Sequence, residues 1–335
     1  KIKLFSFIKP HKHIQNNYKK MNINVLSSDL NSKIKNLRQP NLSKMRYLKS
    51  IPILKKTIKS FKPNILHAHY ASSYGVIGSL IGFKPFILSV WGSDVYYFPK
   101  KNLLNSFILK QVIKSADIIC STSNPMKKLI INNYGRSDIE TIPFGIDTKF
   151  FKPISKTKSK FTVGTIKSIE DHNGIDCFID AAKILLVDHR KDFDFLIIGD
   201  GSLKTKMEKR VKDLGLSDKI KFLGFIEHKN VLSYFNMLSV FVAVSLRESF
   251  GVSVLEAAAC EVPSVTSNVG GLIEVNKHNQ TGIVISPENP QKLAESILKL
   301  YKNENFRLKL GLEARRRVIK DFNWKDNVNK MLNIY

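Results

Sequence analysis

Val240-Phe-Val-Ala-Val244 runs into Ser245-Leu-Arg-Glu248-Ser-Phe-Gly251, and that loop opens onto Val252-Ser-Val-Leu-Glu256-Ala-Ala-Ala-Cys260. A short unbroken apolar run, a loop closed by a glycine and a stretch of helix formers together read as one strand–helix unit of a parallel sheet buried on both faces. The same unit recurs in both directions. Downstream of residue 160 the strand candidates are 161–166, 193–198, 220–223, 240–244, 264–266 and 282–285; upstream they are 3–8, 23–27, 64–68, 86–90, 117–121 and 139–142. Amphipathic stretches such as 44–60 and 103–114 lie between them as helix candidates. Alternation of this kind predicts an α/β protein with two doubly wound sheets. Between 143 and 160 the periodicity lapses at Pro143, Gly145 and Pro153 and in the polar run Ser155-Lys-Thr-Lys-Ser-Lys160, which marks a linker.

Length agrees with that division, because 335 residues at roughly 100 to 200 per domain make about two domains. An apolar share of 43% with 24% charged is globular composition and excludes disordered, collagenous and coiled-coil readings. The longest apolar stretches, 74–83 and 237–246, are about half a membrane span, so no transmembrane helix is expected. No signal-peptide pattern follows Lys1, and a cytoplasmic protein, or one whose start lies upstream, is expected. Cys120, Cys177 and Cys260 are odd in number and set in apolar runs, which argues against disulfides and zinc. The net charge of +26 is uneven: residues 1–150 hold 25 basic and 6 acidic side chains, residues 151–335 hold 29 and 22. A first domain this basic suits a phosphate-rich partner or the anionic face of a membrane, and compositional bias towards Lys, Ile and Asn is the bland alternative. No base-reading motif accompanies the charge, so nucleic acid is not an expected partner.

In doubly wound folds ligands bind where strands end at their carboxyl termini. After 240–244, Ser249, Gly251 and Ser253 open a helix whose first N–H groups and dipole suit a phosphate. Glu248 and Glu256 flank that turn. Glu256 stands in an all-round apolar helix, where an unpaired carboxylate is costly, and this favours a site over a surface charge. His67 and His69 share one side of a strand end, but no third metal ligand is evident and a packed pair is the simpler reading. Asp192-Phe-Asp194 precedes its strand, the wrong end for a ligand.

Glu248-Ser-Phe-Gly-Val-Ser-Val-Leu-Glu256, followed by Cys260-Glu-Val-Pro263 and Ser267-Asn-Val-Gly-Gly271-Leu-Ile-Glu274, resembles the nucleotide-sugar site of family 4 retaining glycosyltransferases of the GT-B fold. His67-Ala-His69, Trp91-Gly-Ser-Asp94, Ile142-Pro-Phe-Gly-Ile-Asp147, Gly199-Asp-Gly201, Phe222-Leu-Gly224 and Thr281-Gly282 agree in order. The resemblance implies two Rossmann-like domains facing a cleft, residues 1–150 on the acceptor side and 151–320 on the donor side, with a helix in 321–335 packing back across the linker. It also implies that one strand–helix unit of the family precedes Lys1. Carried over residue by residue, Glu256 holds the ribose hydroxyls and Glu248 contacts hydroxyls of the donor sugar. The backbone of Phe250, Gly251, Val252 and Ser253 cradles the diphosphate and sugar. Phe222, Leu223, Gly224 and Phe225 pack on the base, and Gly199 and Gly201 form a donor-side loop. Lys167 stands where the family has an Arg facing the diphosphate, and Asn173, beside His172, where it has a Lys. Asp94 is expected to act with Glu248 and Lys167 among the catalytic residues, on the acceptor side, and Trp91 replaces a family His.

What the resemblance implies is transfer of a sugar from a nucleoside diphosphate to a hydroxyl of a saccharide or lipid-linked acceptor. No metal, no other cofactor and no protein nucleophile takes part. The departing phosphate oxygen takes the acceptor proton, and domain closure excludes water. Cell-envelope polysaccharide or glycolipid assembly is the expected setting. Two alternatives stay open, a nucleotide-sugar epimerase of the same fold and a non-catalytic nucleotide-sugar-binding partner of an envelope-assembly complex.

Overall fold

The computed structural model describes residues 1–7, 9–28, 47–154, 160–189 and 192–335. Its described residues divide into two compact units, Lys1–Ser121 with Ile130–Glu140, and Thr122–Leu129 with Thr141–Tyr335.

In the first unit, β1 (Lys3–Ser6) and β2 (Asn24–Ser27) pair in parallel. β3 (Leu66–His69), β4 (Phe86–Val90), β5 (Ile118–Ser121) and β6 (Ile139–Thr141) form a sheet in that order. Every residue of β4 is buried, as a central strand covered on both faces requires. The helix expected over 44–60 is Ile51–Phe61, preceded by a single turn over 47–50; residues 44–46 lie outside the described residues. Pro52 fixes the true start, because its ring fits only the first turn of a helix. The helix expected over 103–114 is Leu103–Ser115.

The second unit carries β7 (Phe161–Ile166), β8 (Phe193–Ile198), β9 (Ile220–Gly224), β10 (Val240–Ala243), β11 (Ser264–Ser267) and β12 (Gly282–Ile285). They form one six-stranded sheet in the order β12-β11-β10-β7-β8-β9, every neighbouring pair parallel. Adjacent residues of a strand point to opposite faces, so Val163, Phe195, Ile197, Val240, Val242 and Val265 enter one core and Leu196, Ile198, Phe241 and Ala243 another. The order reverses at β7, where the chain switches from one half of the sheet to the other, and a doubly wound sheet opens its crevice at that point.

The chain ends in the helix Trp324–Leu332. Asn323 bridges to Ile146, and a Cβ at Gly145 would strike the backbone of Trp324, so this helix lies on the 145–146 segment. The polar part of the expected linker, 155–159, lies outside the described residues. No helix among the described residues is long and apolar enough to cross a membrane. The three cysteines are buried and unpaired, and burial pushes Cys260 up to about 12.

Candidate active site

The loops at the carboxyl ends of β7 to β11 are tied into one rim by backbone hydrogen bonds. Gly199 N–H donates to Gly224 at 2.8 Å, Lys167 N–H to Ile198 at 2.9 Å, Ile169 N–H to Asp200 at 3.0 Å, Leu246 N–H to His172 at 2.9 Å and Gly271 N–H to Glu248 at 3.1 Å. Two glycines make the closest approaches possible. Gly199 has φ +141° and Gly270 φ +48°; a Cβ on the first would overlap the carbonyl of Lys167, and on the second the carbonyl of Glu248. One glycine therefore sets the backbone of Lys167 and the other that of Glu248.

Those two side chains meet. Lys167 Nζ donates to Glu248 Oε2 and, at 2.7 Å, to Ser245 Oγ, with 9% of the lysine and 20% of the glutamate side chain exposed. An ammonium has three N–H donors, and these contacts occupy two. Beside them, Gly251 at φ +105° starts the helix Val252–Ala259, whose first N–H groups have no helical carbonyl to bond. Ser249, Val252 and Ser253 are half-buried there, and Phe250 and Gly251 are buried.

Glu256 lies one turn into that helix and is buried, as the apolar sequence around it requires. Burial pushes its carboxyl above the usual carboxylate range, opposed by a hydrogen bond from His228. His228 Nε2 stands 2.8 Å from Glu256 Oε1, and the imidazole lies near-parallel to Phe150 and edge-on to Phe151. The sequence reading missed His228 and Ser245. Both sit just past a strand's carboxyl end, the one signal that could have found them, but neither belongs to a motif.

Other expected donor-side residues divide. Phe222 is partly buried against one core, Leu223 and Phe225 are exposed, and Gly224 turns the chain between them. Gly201 follows Asp200, which accepts from its N–H. Asn173 is buried and donates both of its amide hydrogens inward, to the carbonyl oxygen of Ser168 at 2.7 Å and to its hydroxyl at 2.9 Å. It thus braces the loop after β7 and has no donor left for a phosphate. His172 Nδ1 contacts Asp171 Oδ1 at 2.9 Å, a hydrogen bond that holds Asp171 below the usual carboxylate range. Asp194 pairs with Lys219 and Lys160 at the amino end of β8, in keeping with its dismissal as a ligand.

In the first unit Asp94 is held by backbone rather than by side chains. Its side chain is fully buried; Oδ2 accepts from Ala71 N–H at 2.7 Å, and Oδ1 from Gly92 and Trp91 N–H at 2.8 and 3.2 Å. Burial raises its carboxyl, and these hydrogen bonds pull the other way. Asp94 clamps the turn after β4 to the loop after β3 and reaches no surface. Trp91 is exposed at that turn, with the ring of His69 5.6 Å away. His67 contacts Ser89 Oγ at 2.8 Å and is pulled down to about 3 by burial and by His69, as a neutral packed histidine is. No group of three or more potential metal ligands occurs among the described residues.

The family described as Glycosyl transferases group 1 matches residues 146–317, and Glycosyl transferase 4-like matches residues 10–123. An uncharacterised glycosyltransferase of Methanocaldococcus jannaschii is 31% identical over 304 residues, spanning 88% of this chain and 83% of that protein. Among solved structures, sucrose-phosphate synthase from Thermosynechococcus elongatus superposes with a TM-score of 0.83 at 18% identity, over 100% of this chain and 98% of that one. Anabaena HepE in complex with UDP-glucose does so with a TM-score of 0.81 at 17% identity, over 99% and 90%. The rim of loops described above falls inside the 146–317 match, and with both units covered the chain belongs to the glycosyl transferases group 1 and is a glycosyltransferase of the GT-B fold.

Proposed function

We propose that the protein is a retaining transferase that moves a sugar from a nucleoside diphosphate to a hydroxyl of a saccharide or lipid-linked acceptor in polysaccharide or glycolipid assembly. One observation carries this reading: a lysine and a glutamate held together at the rim where the helix Val252–Ala259 begins. The remaining donor of Lys167 and the first helical N–H groups suit the two phosphates, which gain negative charge as the sugar–oxygen bond breaks. Glu256 accepts from ribose hydroxyls, Glu248 from hydroxyls of the donor sugar, and the exposed Phe225 and Leu223 offer an apolar face to the base. The bond from the anomeric carbon to the diphosphate breaks, a bond to the acceptor oxygen forms on the same face, and the acceptor proton passes to the departing phosphate oxygen. The protein's own cation serves the leaving group, and the reading assigns no step to a metal. Asp94 acts as a positioning residue that holds the Trp91 turn on the acceptor side.

The test is a panel of UDP-, GDP-, TDP- and ADP-sugars scored for protection against thermal unfolding, then transfer to candidate acceptors with the product's anomeric configuration read by NMR. Selective protection by one nucleotide, turnover indifferent to chelator and retention of configuration are expected. An inverted product, or loss of turnover with chelator, overturns the mechanism. Asn173, whose donors are turned inward, leaves the diphosphate one fewer group than the family pattern, and this favours one second reading, a binding partner without turnover. Protection by a nucleotide sugar with neither transfer nor hydrolysis would select it.

A further inference from the structure

The helix Leu103–Ser115 begins with an exposed apolar corner. Leu103 is 89% exposed, Leu104 65% and Phe107 59%, whereas Leu109, Val112 and Ile113 on its other side are buried. At 100° per residue Leu103, Phe107, Lys110 and Lys114 fall on one outward stripe with Leu104 and Gln111 beside it, so apolar side chains occupy the first turns and lysines the last. Lys100 and Lys101 stand just before it in an exposed single turn. Residues 95–116 contain these four lysines and no acidic residue. The corner is rigid: Asn102 Oδ1 accepts from Asn105 N–H at 2.8 Å as a cap, and Asn105 Nδ2 donates to Phe98 O at 3.2 Å.

We propose that this corner is a membrane-docking wedge, in which Leu103, Leu104 and Phe107 enter the headgroup–acyl boundary of an anionic bilayer while Lys100, Lys101, Lys110 and Lys114 meet its phosphates. Charge selects this occupant over a second copy of the chain. A two-fold contact would appose two copies of a patch that carries four lysines and no acidic residue, and three side chains fall short of the ~800 Å² per partner of a standard interface. An anionic surface turns the same lysines into attractive contacts, each worth about a five-fold gain in binding. The inference goes beyond the proposed reaction and is read without donor or acceptor, so either can fail alone.

The test uses the full chain with vesicles of phosphatidylcholine alone and of phosphatidylcholine mixed with phosphatidylglycerol, followed by sedimentation at low and physiological salt. Binding to the mixed vesicles that weakens with salt is expected. Leu103→Ser with Phe107→Ser should cut that binding at least ten-fold, with the thermal transition little changed because both side chains are mostly in solvent. Lys100→Gln with Lys101→Gln and Lys110→Gln should cut it by about 10²-fold. Wild-type protein that stays in the supernatant at low salt overturns the proposal. So does an apolar double variant that binds as well as wild type, which would place the contact on another basic surface. A wild-type dimer in light scattering that the double variant converts to monomer would show that a second copy covers the corner, and would equally overturn it.

Discussion

The carboxylates at the strand ends of the two units are spent differently. At the carboxyl end of β4, Asp94 is surrounded by the N–H groups of Ala71, Trp91 and Gly92 and buried completely, so its charge is consumed in fixing a turn. At the carboxyl end of β10, Glu248 and Glu256 meet side chains, Lys167 and His228, and both keep an edge towards solvent. A carboxylate satisfied by backbone cannot exchange its partners without breaking the local fold. One paired with a lysine or an imidazole can, because those partners turn on flexible stems. Carboxyl ends of parallel strands thus carry geometry in one unit and exchangeable charge in the other, and substitution should separate the two.

The largest effect is expected at Lys167. If Lys167 serves the leaving group as proposed, its contact strengthens as that group charges, so Lys167→Ala should lower kcat about 10²- to 10³-fold, the scale seen for loss of one preorganised donor, with a much smaller change in donor affinity. Steady-state kinetics beside calorimetry checks this; equal losses in kcat and affinity would make Lys167 a binding residue only. Asp94→Ala should act the other way, on the fold. It leaves three N–H groups without their acceptor, at about 1 to 3 kcal/mol for a buried unsatisfied group, and denaturant titration should show at least that much destabilisation. Stability unchanged, with activity lost, would return Asp94 to the chemistry and erase the contrast between the units.

How much of this the sequence carries depends on the range of the interaction. Each of the twelve described strands overlaps a strand candidate read from the sequence, and the signature is clearest in β4 and β10, where burial on both faces leaves a near-continuous apolar run. The burial of Glu256 is likewise legible from its neighbours in the helix. The partnership of Lys167 with Glu248 is not, since 81 residues separate them and the sheet alone brings them together. His228 reaches Glu256 across 28 residues for the same reason. The inward bonding of Asn173 and Asp94 is not legible either, because a polar residue in a strand-end loop looks the same whether it faces a ligand or its own backbone. Only the placement of Ser168 and Ala71 decides.

The pH dependence at Glu256 is the sharpest test of the contrast, because that single residue should show opposite pH signs in two measurements. Its carboxyl titrates above the usual range when folded, with burial the principal cause, and near 4.3 when the chain is unfolded. Below both values the two states hold the same proton. As pH rises between them the unfolded chain loses its proton first, so stability declines through the folded value, by about 1.4 kcal/mol for each unit of elevation. On the proposed assignment of Glu256 to the ribose, donor affinity should move the other way, since only the ionised carboxylate accepts two hydroxyls, and it should strengthen over the same window. Glu256→Gln should flatten both profiles and weaken donor binding by about 1.5 to 3 kcal/mol through loss of charge-assisted hydrogen bonds. His228→Asn separates the partner's contribution: if Glu256 is the titrating group, removing the imidazole raises the midpoint of both curves together, because the hydrogen bond that favours the ionised form is lost. Midpoints that stay where they were in this variant, or affinity that weakens with rising pH, would assign the titration to another group.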